Sequence, residues 1–211
     1  MKEEEIEAKE QEKKQENIDK ELKDSTSLSG DSTKSHGEIL KQQIVEGQET
    51  YDRTPQSILL SSITAGLEIG FSYLLLCSVF YFFSDSLQEE SLFKIMAFVY
   101  PIGFIMVILG QSILFTEQTS LLTLPVLNNK RSIKSLLKIW GTVIAGNLLG
   151  GYIIAFILIW IGPKLHIFDH ASIEEVAEHV TDYSSMVIFV SAILAGWLMG
   201  ILSWLITSSR D

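Results

Sequence analysis

Long apolar stretches separated by short polar loops fill the chain from Ser57 onwards. A transmembrane helix needs about 20 apolar residues, each adding about 1.5 Å of rise. Four stretches reach this length, at about 57–83, 92–127, 138–161 and 185–208. The fourth contains no Asp, Glu, Lys or Arg, and buried helices of soluble proteins rarely run so far without a charge. The pattern predicts an all-α fold, a polytopic transmembrane helix bundle over residues 56–211.

The second stretch is too long for one straight helix. Residues 92–127 would form a helix of about 54 Å, whereas the hydrocarbon core of a bilayer is about 30 Å thick. A polar run, Thr-Glu-Gln-Thr-Ser at 116–120, interrupts the stretch. We therefore predict a broken second helix, with one helix to about Gln111, an irregular loop through Ser120 and a half-helix to about Leu127. A long segment at the membrane interface is the alternative interpretation.

The N-terminal region differs from the rest of the chain. Residues 1–37 are dominated by Glu, Lys, Gln, Ser and Thr, which favours a charged, disordered cytoplasmic tail; a partner-binding tail is the alternative. Residues 38–55 carry a weak amphipathic stripe that includes Ile39 and Ile44. This stripe predicts an interfacial segment ahead of the first span.

The placement of lysine and arginine predicts the orientation. The loop after the second stretch holds a basic set, Lys130, Arg131, Lys134 and Lys138, whereas the charges of the first loop, residues 84–91, are all acidic. Because basic loops stay in the cytoplasm, we predict that both termini are cytoplasmic. The N-terminus has no apolar signal-peptide core, so the first span is expected to act as its own insertion signal, in a plasma membrane.

The first and fourth stretches share a signature. Residues 65–70 are AGLEIG, and residues 195–200 are AGWLMG. Membrane transporters are often built from two inverted repeats. A repeat that begins again in the fourth span therefore indicates a membrane transport protein.

Two polar residues inside the spans are candidate functional residues. Glu68 is the one acidic residue of the first span, and an intramembrane charge costs roughly 2.5–3.5 kcal/mol on insertion scales, which makes it a candidate for a role in a pore. The alternative is that Glu68 faces the bundle, either protonated or paired with a polar neighbour such as Ser72 or Asn147. Asn147 lies within a GxxxG pair, Gly146 and Gly150, and must find a partner across the bundle.

Catalysis and metal binding have little support in the sequence. His166 and His170 have the i,i+4 spacing of a metal pair on a helix, but the surrounding residues favour a solvated acidic face. No nucleophile–base pair, phosphate loop or CxxC motif is present, and Cys77 stands alone. We therefore expect no enzyme activity, no metal site, no cofactor and no nucleic-acid partner.

Several sequence blocks resemble the formate/nitrite transporter family. Residues 110–119 are GQSILFTEQT and are followed by LPVL at 124–127. Trp140 is followed by GNLLG at 146–150, and ETYDRTP at 49–55 leads into the AGLxxG start of the first span. The resemblance covers roughly residues 38–210, and the LFT block at 114–116 and the GNxxG block at 146–150 are together fairly specific.

The resemblance implies a fold and an activity. Members of the family have aquaporin-like subunits of six helices, in which helices two and five are broken by loops that meet in a pore. They form homopentamers in the lipid bilayer and pass small monovalent anions such as formate or nitrite. A histidine on the fifth helix is associated with proton coupling in the family.

The resemblance also implies roles for individual residues. Leu114, Phe115 and Thr116 match the loop that narrows the pore and offers a hydroxyl to the anion. Tyr100 and Phe104 match two constriction positions, where the family more usually has Phe and Leu. Asn147 also matches a family position, the asparagine of the third helix. The phenolic hydroxyl of Tyr100 departs from the usual dry constriction.

The last departure concerns the fifth helix. The sequence stops at Asp211, just past the fourth span, without a fifth helix or a central histidine. A chain that truly ends there is expected to lack half of the pore wall. The alternative to a transporter is then a truncated, non-transporting membrane subunit or scaffold, and a second alternative is a channel for a neutral solute.

Overall fold

The structure is a computed structural model that describes residues 34–209. Within this range the chain folds into eight α-helices and no strand. In chain order these are α1 His36–Asp52, α2 Pro55–Phe83, α3 Glu89–Val99, α4 Ile102–Gly110, α5 Phe115–Leu127, α6 Ile133–Ile161, α7 His170–Thr181 and α8 Ser185–Ser209. The charged tail predicted for residues 1–37 lies outside the described residues, except for its last part.

Four helical segments confirm the predicted fold class. α2, α6, α8 and the interrupted segment Glu89–Gly110 are each long and apolar enough to cross a membrane. α6 begins at Ile133, earlier than the predicted 138, because Ser132 caps it. The Ser132 hydroxyl accepts a hydrogen bond from the Ser135 N–H at 3.2 Å, which satisfies one of the free donors of the first turn.

The contact between α2 and α6 is the centre of the bundle. A methyl group on Gly150 of α6 would overlap the carbonyl oxygen of Ile63 and lie 3.1 Å from Gly66 Cα on α2. A methyl group on Gly66 would in turn overlap the carbonyl oxygen of Asn147. Helices in a membrane associate through close packing and interhelical hydrogen bonds, so these glycines let the two backbones touch.

The second span contains two breaks, whereas the sequence predicted one. The first break, at Tyr100 and Pro101, separates α3 from α4 inside the predicted continuous helix. Proline removes one helical N–H and crowds the preceding turn. Ser72 of α2 compensates, because its hydroxyl donates to Tyr100 O at 2.6 Å and accepts from the Gly103 N–H at 2.8 Å.

The second break is shorter than predicted. The prediction of an irregular loop through Ser120 is wrong, because α5 already begins at Phe115 and the loop is confined to residues 111–114. The hydroxyls of Thr119 and Thr123 donate to the carbonyl oxygens of the residues four positions earlier, at 2.6 and 2.7 Å. These polar side chains therefore satisfy themselves within the helix and do not interrupt it.

α1 lies against α5 at one end of the bundle. A methyl group on Gly47 would overlap Leu121 O, and the Tyr51 hydroxyl donates to Leu122 O at 2.9 Å. At the same end, Arg131 forms an ion pair with Asp52 at 2.5 Å. The N-terminal helix and the basic loop between α5 and α6 therefore share one end of the molecule.

The opposite end of the bundle carries α7. Asp169 caps this helix, since its carboxylate accepts hydrogen bonds from the Ser172 hydroxyl at 2.7 Å and the Ser172 N–H at 2.8 Å, which lower the pKa of Asp169. His166 lies before the helix, in a left-handed conformation with φ 55°. The helical spacing inferred for His166 and His170 is therefore wrong, because α7 begins only at His170.

The fourth span, α8, touches the rest of the described chain along few residues. It packs only against α1 and α5 to any extent, and Ser203 and Thr207 are its buried residues. Lys34 donates a hydrogen bond to Thr207 O at 3.1 Å, and the His36 and Trp204 rings stack with centroids 6.2 Å apart. The end of α8 is thus attached to the start of α1, while its remaining length stands apart from α2 and α6.

Candidate functional site

The break between α4 and α5 places irregular backbone inside the membrane-spanning bundle. Gln111 adopts a left-handed conformation with φ 52° and ends α4, and Leu114 is extended ahead of α5. Between them, the Ser112 N–H donates back to Val107 O at 3.1 Å. The Ile113 N–H donates to the Ser61 hydroxyl of α2 at 3.1 Å. Protein groups therefore satisfy the break, as irregular backbone at membrane depth requires.

Asn147 of α6 holds this break in place. Its Oδ1 accepts a hydrogen bond from the Phe115 N–H, the first of α5, at 2.8 Å. Its Nδ2 donates to Ile113 O at 2.9 Å and to Ser62 O of α2 at 2.8 Å. One carboxamide thus joins α6 to α2 and to both sides of the start of α5.

The hydroxyl-rich face of α5 lines a cavity of about 510 Å³ that α8 borders on its other side. The lining residues from α5 are Phe115, Thr116, Thr119, Ser120, Thr123, Leu124 and Leu127, and those from α8 are Gly196 and Gly200. The hydroxyls of Thr119 and Thr123 donate hydrogen bonds to carbonyl oxygens of α5. The Thr116 hydroxyl makes no such hydrogen bond within residues 34–209. The Thr116 hydroxyl is therefore available to a solute in this cavity.

A second, polar cavity of about 220 Å³ lies on the other side of the break, towards α1. It is lined by Glu46, Glu49, Thr50, Arg53, Val107, Ile108, Gln111, Ser112, Ile113, Glu117, Gln118 and Leu121. The Glu117 carboxylate lines this cavity, next to the Gln118 amide, which donates to it at 3.3 Å. Thr116 and Glu117 are adjacent in sequence but line different cavities.

Comparison with known proteins gives the family. Residues 37–211 match the formate/nitrite transporter family. The chain belongs to this family. The inner membrane protein YfdC of Escherichia coli is 30% identical over 165 residues, which are 76% of this chain and 51% of YfdC.

Two further relatives are named as transporters. The nitrite transporter NirC of Escherichia coli is 27% identical over 151 residues, 72% of this chain and 55% of NirC. The uncharacterized transporter YrhG of Bacillus subtilis is 28% identical over 183 residues, 82% of this chain and 65% of YrhG. The chain spans about half to two thirds of the length of these curated relatives.

The residues that match the family's pore positions do not all line the same cavity. Phe115 and Thr116 line the cavity beside α8, and the Phe115 ring also packs edge-on against Trp140 at 5.7 Å. Tyr100 lies at the first break, with 66% of its surface exposed, and Phe104 lies one turn further along α4, partly buried. Leu114 is the extended residue just before α5. In this member of the formate/nitrite transporter family, Tyr100 and Phe104 are thus separate from the cavity that Thr116 lines.

Sequence reasoning missed the role of two serines of α2 in supporting the second span. Ser72 bridges the first break, as described above, and Ser61 accepts from the second break. Pro101 inside an apolar run was a usable signal for the first break, because proline in a helix interior removes a hydrogen bond and kinks the chain. The partner serines carry no comparable signal, since serine is frequent in transmembrane helices.

Proposed function

We propose that this chain contributes to a homopentameric membrane channel or transporter for small monovalent anions such as formate or nitrite. The anion passes the start of α5 in the cavity beside α8. The observation that carries the proposal is the placement of Thr116, a hydroxyl in the first turn of a half-helix that begins inside the bundle. A relative named as a nitrite transporter supports the substrate class.

The physical argument concerns the cost of moving an anion through an apolar bundle. Desolvating a carboxylate-sized ion costs roughly several kcal/mol even after the protein relaxes. A helix N-terminus offers N–H groups and the positive end of the helix dipole, and both favour an anion. The start of α5, fixed by Asn147, supplies this environment, and the Thr116 hydroxyl adds a donor.

Replacing Thr116 by valine tests the role of this hydroxyl. Valine keeps the shape of threonine and removes the donor, so formate and nitrite flux should fall about tenfold, the equivalent of losing about 1.4 kcal/mol of hydrogen bonding to a charged group. Flux is measured in vesicles made from the membranes of cells that express the protein from its own gene.

The matched control is Thr123→Val on the same face of α5. Thr123 lines the same cavity, but its hydroxyl already donates to Thr119 O, so its replacement should leave flux within about twofold of the wild type. Equal flux in Thr116→Val and wild-type vesicles would reject the anion contact. Absence of anion flux in wild-type vesicles would reject the transport function and favour a non-transporting subunit.

We also propose that α1 and the α5–α6 loop face the cytoplasm of a plasma membrane. Arg131 and Asp52 pair at this end, beside the other basic residues of the loop, whereas the α2–α3 loop at the far end is acidic. Cys77 is fully buried, so an introduced cysteine can be labelled against a low background.

An impermeant maleimide tests this orientation in intact cells. Ser86→Cys, in the acidic α2–α3 loop, should be labelled from outside the cell. Ser132→Cys, ahead of α6, should be labelled only after permeabilisation. Both serines are exposed, so a reversed labelling pattern would mean that the orientation is the opposite one.

A further inference from the structure

Glu68 is a carboxyl group in the middle of a transmembrane helix. It lies about 20 Å along α2 from Pro55, at about 1.5 Å per residue, which places it near the centre of the span. No other Asp, Glu, Lys or Arg occurs within α2. Ionisable residues inside a span are costly to insert and are functional candidates for that reason.

The carboxyl group of Glu68 lies against the end of α4, next to the second break. A methyl group on Gly110 would come within 2.9 Å of Glu68 Oε1 and 3.5 Å of Ser112 Oγ. Glu68 and Ser112 therefore approach the same point. Ser112 is itself buried and lines the polar cavity towards α1.

The second carboxyl oxygen of Glu68 lacks a hydrogen-bond partner among the described residues. Glu68 Oε2 is fully buried and makes no hydrogen bond to any residue in the described range 34–209. The sequence suggested Ser72 and Asn147 as hydrogen-bond partners of Glu68, but both side chains form their hydrogen bonds with other groups. The Ser72 hydroxyl bridges Tyr100 and Gly103, and the Asn147 amide holds the start of α5.

The polar cavity towards α1 contains charged residues, whereas the charged residues of α6, Lys134 and Lys138, lie in its first two turns. α4 has no titratable side chain, and the apolar length of α6 from Ile139 has only Tyr152. The ionisable groups of α3 and α7 lie towards the opposite end of the bundle from the second break, at Glu89, Glu90, Lys94, His170, Glu174, Glu175, Glu178 and His179. The cavity towards α1 holds Glu46, Glu49, Arg53 and Glu117. Ser112 lines this cavity, and its hydroxyl lies beside Gly110 near the same point as the Glu68 carboxyl group.

We propose that Glu68 is a proton-exchange site coupled to anion transport. A proton passes from water in the cavity towards α1, by way of Ser112, to the Glu68 carboxylate, where an O–H bond forms. The same bond breaks when the proton leaves again, and no other covalent bond changes. This assignment rests on the proposed anion transport, because the break that Glu68 touches at Gly110 leads directly into Thr116 and α5.

Labelling with dicyclohexylcarbodiimide tests the site without relying on transport. The O–H of a protonated carboxyl group in apolar surroundings adds across a C=N bond of this reagent. The acyl group then moves from oxygen to nitrogen, which gives a stable N-acylurea without a leaving group. In native membranes, Glu68 should be modified, because its carboxyl group lies among apolar helices and one of its oxygens is buried. Glu90, 81% exposed at the start of α3, is the internal control and should remain unmodified. Absence of modification of Glu68 in the wild-type protein would overturn the assignment.

Proton movement measured together with anion flux separates this proposal from the proposed function. Vesicles carrying a pH-sensitive dye should acidify as formate enters through the wild-type protein. Glu68→Gln, which keeps the size and a hydrogen-bonding amide, should reduce this acidification per formate at least about tenfold, and Glu68→Asp should restore part of it. Unchanged acidification in Glu68→Gln, or wild-type formate flux without acidification, would overturn the role of Glu68 alone. No wild-type formate flux at all would instead reject the transport function.

Discussion

Replacing Gly150 by alanine is expected to separate the two central helices. The added methyl group would overlap Ile63 O and approach the Gly66 backbone, so the colliding atoms are main-chain atoms that cannot rotate away. α2 and α6 must move apart, and the expected destabilisation is about 2–3 kcal/mol, the range of overpacked cores. Thermal unfolding of the purified protein in detergent measures this loss as a lowered midpoint.

Gly151→Ala provides a matched control one residue further along α6. No heavy atom lies within 4 Å of a methyl group at Gly151, so this variant meets open space. Alanine also forms helices better than glycine, by about 1 kcal/mol, so Gly151→Ala should be neutral or slightly stabilising. An unfolding midpoint for Gly150→Ala equal to that of Gly151→Ala would show that the close α2–α6 packing is not what stabilises the bundle.

The sequence could predict the spans because their signal is long and continuous. Each apolar stretch exceeds the thickness of a bilayer, and the bounds found for α2 and α8 agree with the predicted ones within a few residues. The break in the second stretch was predicted on length, since one helix over 92–127 is too long to cross a membrane. Membership of the formate/nitrite transporter family confirms the resemblance carried by the GQSILFTEQT and GNLLG blocks.

The details of the second stretch were not predictable from composition. A polar run such as residues 116–120 suggests a loop, but the hydroxyls of Thr119 and Ser120 bond to carbonyl oxygens of their own helix. Whether a serine or threonine interrupts a helix or forms a hydrogen bond within it depends on its rotamer and its neighbours. The order of polar and apolar residues does not determine either of these. The position of Glu68 was likewise open, because pairing with Ser72 or Asn147 depends on which other groups those side chains bind.

Asn147→Leu is expected to have the largest effect on function. Leucine has a similar volume but no polar atom, so the Phe115 N–H and the Ile113 carbonyl lose their partner at the start of α5. Buried groups left without a partner cost about 1–3 kcal/mol each in soluble proteins, and somewhat less in membranes, which gives about 2–4 kcal/mol in total. The unfolding midpoint should fall, and anion flux should fall more than in Thr116→Val.

The reason for the larger loss of flux is that Asn147 acts on the whole start of α5 and not on one donor. Without it, Phe115 and Thr116 lose the fixed position that aims the half-helix into the cavity beside α8. Leu148→Ala is the control, because Leu148 is the next residue of α6, is 56% exposed and should change neither property by much. Flux in Asn147→Leu that matched Leu148→Ala would mean that the anion does not depend on the fixed start of α5. Loss of flux in Asn147→Leu with retained flux in Leu148→Ala would place the permeation path at the break that Asn147 holds.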